Sequence, residues 1–143
     1  YNPSGTWDMT KLFGTFDVNF LCSGGEAVGL PYLEAAAAGI PSIGTNYAGA
    51  PEHIGPGLTV SWHDYTIFNT PGVRYVLPDI DGMAEALKKI YDMDREKLGR
   101  KCRKFAESYD WSVVMSDFWV PFLRQCSDEL YPLITKDGAK SWA

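Results

Sequence analysis

Ser23-Gly24-Gly25-Glu26-Ala27-Val28-Gly29-Leu30-Pro31-Tyr32-Leu33-Glu34-Ala35-Ala36-Ala37-Ala38-Gly39 is the stretch on which the fold turns. A short β-rich run, 16–21, leads into it; a glycine-rich break follows, then a helix predicted over 30–38. Pro31 stands in the first turn of that helix and Gly39 just past its end, the usual asymmetry of proline at the start and glycine at the stop. Working outward, residues 41–45 read as a second strand, 51–55 as a brief helix opened by Pro51, and 58–62 as a third strand. Residues 63–72 read as a loop closed by Thr70-Pro71-Gly72 turn chemistry, and 73–77 as a fourth strand. Upstream, 8–16 is a short helix with Asp8 or Thr10 placed to cap it.

Beyond the strands the chain turns helical. Asp79 or Asp81 caps a helix in which Met83, Leu87, Ile90 and Tyr91 recur at helical spacing. Residues 94–109 form a charged amphipathic helix. Asp110-Trp111-Ser112 opens a last helix, about 111–126, with Trp111, Val114, Met115, Phe118, Phe122 and Cys126 on one side. Residues 135–143 are a polar tail. Short apolar strands alternating with helices mean a parallel sheet covered on both faces. The expected fold class is therefore α/β: a Rossmann-like parallel sheet of about four strands flanked by helices, in one domain over residues 1–134. Doubly wound domains more often have five or six strands.

Composition narrows the function classes. The 143 residues are 45% hydrophobic, 14% aromatic and 22% charged, with a formal net charge of -5. A nucleic-acid partner is not expected, because phosphate backbones demand a basic stripe. The 3 cysteines, Cys22, Cys102 and Cys126, are odd in number and far apart, without the spacing of a zinc or redox site. Cys22 closes an apolar run and is expected to be buried, as in a reducing compartment. No run approaches the roughly 20 apolar residues of a membrane span, and the first residues lack the form of a signal peptide. The first residue is not methionine, so the chain reads as a piece of a longer protein.

The chemistry concentrates at 23–34. Ligands of open parallel sheets sit beyond the carboxyl ends of the strands, in the loops that lead into helices. Glycines there let the backbone approach a ligand, and the amides of Gly29 and Leu30 at a helix start suit a phosphate. Glu26 lies in the loop, where its carboxylate can reach what is attached beyond the phosphates. Glu34 follows about a turn into the helix, roughly 6–8 Å along its axis, where a carboxylate can accept hydrogen bonds from a ribose diol. It is the sole charge in residues 30–38, so it is expected to face a polar cleft. The same glycines also serve plain packing, and a glutamate in an early turn also favours the helix dipole; residue chemistry alone leaves both readings open.

Here the sequence resembles a known family. Residues 26–35, with Gly39-Ile40-Pro41 after them, are similar to the Glu-x7-Glu signature of retaining GT-B glycosyltransferases, the family 4-like "glycosyl transferases group 1". Gly49-Ala50-Pro51-Glu52-His53-Ile54, Asp79-Ile80-Asp81-Gly82-Met83-Ala84 and Tyr109-Asp110-Trp111-Ser112 resemble later elements of that family, in order, over about 8–124. The resemblance implies the donor-binding, C-terminal half of a GT-B enzyme, truncated, using a nucleotide-diphosphate sugar and neither metal nor cofactor. It implies that catalytic Glu26 contacts hydroxyls of the transferred sugar, and that Glu34 holds the ribose. Gly25, Ala27, Val28, Gly29 and Leu30 would line the donor, the last two through their amides. Ala27 and Val28 replace the family's usual glycine and aromatic residue, and Ala50 replaces a glycine.

The family's basic pair for the diphosphate lies upstream of this segment, and its acceptor site lies in an N-terminal domain. The isolated chain is therefore expected to be inactive by itself, cytoplasmic, and peripheral at a membrane at most in its full-length form. A non-catalytic nucleotide-binding or protein-interaction module with the same fold is the alternative. His53 and His63 are too few and too poorly flanked for a metal site; His53 is expected to pack or cap. Trp62, Tyr65, Phe68 and Tyr75 read either as loop packing or as a sugar-stacking cluster. The aromatic face of the last helix predicts exposed apolar surface and self-association.

Overall fold

The computed structural model describes residues 8–67 and 72–137, with the side chains of Thr10 and of residues 130–137 left undescribed. Phe68, the Thr70-Pro71 part of the expected turn, and residues 138–143 of the tail lie outside the described residues. The chain divides into two units, Tyr1–Glu107 and Ser108–Ala143. The first holds a 3-stranded parallel sheet in the order β1 (Asn19–Leu21), β2 (Ser42–Thr45), β3 (Leu58–Val60). Asn19 lies opposite Ser42, and Ile43 opposite Leu58. Central β2 is buried at every position, whereas Phe20 of β1 is exposed.

Side-chain size decides which helix covers which face. Gly44 of β2 leaves room for the Tyr32 ring of α2 (Leu30–Ala37), and α3 (Ala50–His53) joins it through Ala50 and Ile54. Ile43 and Val60 point the other way and bury against Ala86 of α4 (Ile80–Tyr91), with Met83 and Ile90 beside them. Asp79 is the cap of α4, accepting from the Asp81 amide at 3.1 Å, and Asp8 caps α1 (Met9–Phe13) through the Lys11 amide. The α4 stripe differs from the expected one: Leu87 and Tyr91 are exposed and Ala86 is in the core. A Cβ at Gly82 would lie 3.0 Å from Val60, so small residues set that helix close to the sheet.

Helix α5 (Arg95–Glu107) packs on α2 through Leu98 and Cys102 against Ala36. The close approach needs glycine at 99, since a Cβ there would stand 2.9 Å from the Gly39 carbonyl. Gly39 itself is left-handed, as its place after the helix predicts. The short alanine run of α2 is thus the surface that lets a second helix dock.

The expectation of four parallel strands is corrected to three. The fourth candidate is β5 (Arg74–Pro78), and it pairs antiparallel with β4 (Trp62–Ile67), part of the stretch read as a loop. The third strand stops at Val60 because its partner β2 ends at Thr45, opposite it. From Trp62 onward the chain leaves the sheet as an exposed hairpin, with a bulge between Trp62 and Asp64.

In the second unit α6 (Trp111–Val114) runs into a π-helical turn, Met115–Trp119, and then α7 (Val120–Asp137). Asp110 caps its start, accepting from the Ser112 amide and hydroxyl, and those bonds hold its carboxyl below the usual carboxylate range. Pro121 comes two residues after the wide turn; lacking an N–H, it cannot donate an ordinary α-helical bond there.

Candidate functional site

The candidate site residues lie where β1 gives way to α2. Gly29 starts the helix with φ 73 and ψ 52, left-handed and without a side-chain cap. Among the described residues the amides of Gly29 and Leu30 donate to no other group, and Pro31 has none to offer. The first peptide groups of α2 therefore stay open to an acceptor from outside. The Glu26 side chain folds over this point, its Cγ 3.1 Å from where a Gly29 Cβ would be. Glu34 is half-buried further along α2, its carboxylate with no hydrogen bond or ion pair among the described residues. Gly25, Ala27, Val28 and Leu30 are exposed around the same turn. The candidate residues thus share one turn and the helix it opens.

Tyr32 locks the turn from beneath. Its ring is fully buried, and its hydroxyl donates to the Leu21 carbonyl at 2.6 Å. A Cβ on Gly29 would fall 2.5 Å from this ring, and one on Gly44 would fall 2.6 Å from its hydroxyl. One side chain thereby ties the end of β1, the start of α2 and the middle of β2. Burial pushes its pKa up to about 12, with negative charge on Cys22 and Glu26 adding to the shift. It remains a neutral donor.

The loop after β2 closes the other side. Gly49 donates its amide to the Glu26 carbonyl at 2.9 Å, and a Cβ there would sit 2.1 Å from the Ala27 carbonyl. Ala48, just before it, is left-handed at φ 52, a conformation an alanine adopts at a cost of about 1–2 kcal/mol. Ala50 is a buried core residue against Tyr32. His53 turns back along its own short helix, with Nδ1 2.8 Å from the Gly49 carbonyl, and Glu52 is exposed.

Some residues carry other duties than their pattern suggests. Gly24 makes room for β5: a Cβ there would be 2.7 Å from the Val76 carbonyl oxygen, and the Val76 amide donates to Gly24 O at 2.8 Å. Tyr32 and Gly44, which shape this turn from beneath, carry no signal in the sequence reading, whereas Gly49 entered it within the family-like stretch 49–54. Cys22 is half-buried rather than buried, and burial pushes its thiol up. A groove of about 670 Å³ beside Val18, Pro41, Leu87, Tyr91 and Leu98 lies at the opposite end of the sheet, where residues precede β1 and β2. Among the described residues no group of three or more His, Cys, Asp or Glu could hold a metal, and no helix is long and apolar enough to cross a membrane.

Residues 3–108, containing the whole of this arrangement, match the family model described as Glycosyl transferases group 1. The chain belongs to that family. It is also similar to a D-inositol 3-phosphate glycosyltransferase of Paenarthrobacter aurescens (strain TC1), 31% identical over 106 residues. That match covers 73% of this chain but 23% of the relative, so the chain spans about a quarter of its length. No solved structure matches the chain closely enough to count as a relative. Group 1 membership accounts for the α/β fold and for sugar transfer as the family's chemistry.

Proposed function

We propose that this chain is the donor-binding part of a retaining, hexosyltransferase-like GT-B glycosyltransferase that takes its sugar from a nucleotide-diphosphate sugar. The carrying observation is the uncapped left-handed start of α2 at Gly29, with Glu26 folded over it and Glu34 further along the same helix. The open amides of Gly29 and Leu30 meet the diphosphate, a placement favoured by the positive end of the helix dipole. Glu34 accepts from the ribose hydroxyls. Glu26 accepts from hydroxyls of the transferred sugar and is the catalytic residue, while Gly25, Ala27 and Val28 shape the wall. No metal and no cofactor take part.

A transferase needs fixed charges and dipoles around the departing diphosphate on all sides, and this chain offers one wall. A second, N-terminal domain supplies the other wall and the acceptor site, so the 143-residue chain by itself binds donor and does not turn it over. The protein works in the cytoplasm, peripheral to the membrane at most. Calorimetric titration of the chain with UDP, GDP, ADP and TDP tests the reading. Binding of one of them, abolished by Glu34→Ala while the fold persists, is the expected result. Absence of binding by all four at millimolar concentration refutes it.

A further inference from the structure

The β4–β5 hairpin is tied to both loops that frame Glu26. Val76 of β5 hydrogen-bonds Gly24, two residues before Glu26. Tyr47, on the loop that Gly49 fastens to Glu26, donates its hydroxyl to the Arg74 carbonyl at 3.5 Å and sets its ring edge-on to Trp62 at 6.0 Å. The Arg74 carbonyl also lies 3.9 Å from the Cβ position of Gly25. The hairpin therefore forms a side of the candidate site rather than a remote appendage. Its register places Trp62, Tyr65 and Arg74 on one face, and the bulge after Trp62 is what brings Trp62 and Tyr65 to the same side.

Charge singles out one of these residues. Between Lys11 and Lys88 the chain contains no lysine, and Arg74 is its sole arginine. The same stretch brings Glu26, Glu34 and Glu52 to the site and its adjoining helix. Within that stretch Arg74 is the one cation set against these carboxylates, and a diphosphate at the open amides would gain from it. Arg74 is exposed, with its guanidinium 4.9 Å from the Tyr65 ring centroid and no carboxylate partner among the described residues. A guanidinium resting on an aromatic face keeps its N–H fork available to a phosphate.

We propose that Arg74, carried on the β4–β5 hairpin, is the cationic contact of the nucleotide site and takes the diphosphate of the donor, an inference that rests on the donor-site reading above. The test is titration of the 143-residue chain and of Arg74→Gln and Arg74→Lys with UDP, UMP and uridine, and with the guanosine series in parallel. Arg74→Gln is expected to weaken the diphosphate about tenfold or more, the loss of one charge-assisted contact. It should leave the nucleoside unchanged and flatten the salt dependence, and Arg74→Lys should recover part of the loss. Its melting temperature should match the parent, since Arg74 is exposed. If Arg74→Gln binds the diphosphate as tightly as the parent while Glu34→Ala does not, the Arg74 assignment is wrong and the donor site stands. Equal weakening of nucleoside and diphosphate overturns the assignment too. If the parent chain binds no nucleotide, the donor-site reading fails and takes this inference with it.

Discussion

Helix α2 and the segment from Trp111 to Leu123 reverse what their compositions suggest. The first is built on alanines around one large ring, yet Tyr32, Ala35 and Ala36 are sealed from solvent. The second carries two tryptophans and two phenylalanines, and these with Met115 and Leu123 are 41–71% exposed. Burial follows the number of neighbours an element can admit more than the apolar bulk it carries. Small residues let backbones meet, as Gly39 meets Gly99, and each such approach covers a whole helix face. Bulky residues without a neighbour in their own unit leave a surface to be covered by something else.

The contrast breaks most severely at Tyr32. Tyr32→Ala removes a ring that three segments share, and it should cost about 3–5 kcal/mol of unfolding free energy, measured by denaturant melts. Nucleotide binding should vanish with it, because Gly29 loses the surface it rests on. A loss below about 1 kcal/mol would mean the ring is not the keystone.

Alkaline pH should loosen the same point. The folded phenol ionises at about 12, against about 10 for an unfolded tyrosine. Unfolding therefore releases a proton within that window, so stability is complete below about pH 10 and falls as pH rises through about 12, by about 2–3 kcal/mol in all. Cys102, raised to about 11 by burial, adds a decline that begins lower. Tyr32→Phe should flatten the part above pH 10 in denaturant midpoints taken across the range. An unchanged slope in that variant would place the titration elsewhere.

Gly49 comes next. Its missing Cβ leaves space for the Ala27 carbonyl, which is backbone and cannot swing aside. Gly49→Ala should cost about 1–3 kcal/mol and weaken nucleotide binding by shifting Glu26. Retention of parental affinity would show that the Glu26 loop holds its place without that contact.

How much of this was legible in the sequence depends on the range of the interaction. The start and stop of α2 were readable because proline and glycine act on their own backbone. Glu34 could be singled out as the sole charge of a small apolar helix, and Glu26 as the carboxylate of the glycine-rich loop before it; what the two bind is a matter of the proposal. The Tyr32 lock joins residues 21, 29, 32 and 44, and no local rule announces which ring will fill the space over a glycine of another strand. Hairpin β4–β5 escaped for a different reason. Its bulge interrupts the period-2 alternation between Trp62 and Asp64, and its exposed positions mix His63, Asp64 and Thr66 among the apolar ones. On α4, Leu87 was the natural core choice, but Gly82 and Ala86 bring the helix so near the sheet that the larger side chain is turned outward.

A smaller effect, of opposite sign, is expected at the end of β2. The Thr45 hydroxyl is buried without a hydrogen-bond partner among the described residues. Thr45→Val keeps the shape and removes the unpaired group, so it should stabilise the fold by about 1 kcal/mol. Destabilisation would reveal a partner for that hydroxyl, such as a bound water.

The smallest effect on folding is expected where the apolar bulk is greatest. Phe118 and Trp111 are 66% and 71% exposed, so neither contributes much buried area to its own unit. Phe118→Ser and Trp111→Ser should each change unfolding free energy by less than about 0.5 kcal/mol, against the several kcal/mol at Tyr32. Their effect should appear between molecules instead. A continuous apolar face of this kind is covered in a larger assembly or else pairs with its copy, and light scattering across a concentration series should show the parent chain associating and the double substitution less so. A parent that stays monomeric at high concentration would deny self-association through the helix. Strong destabilisation by either serine would instead show these rings buried in solution, and the contrast with α2 would disappear.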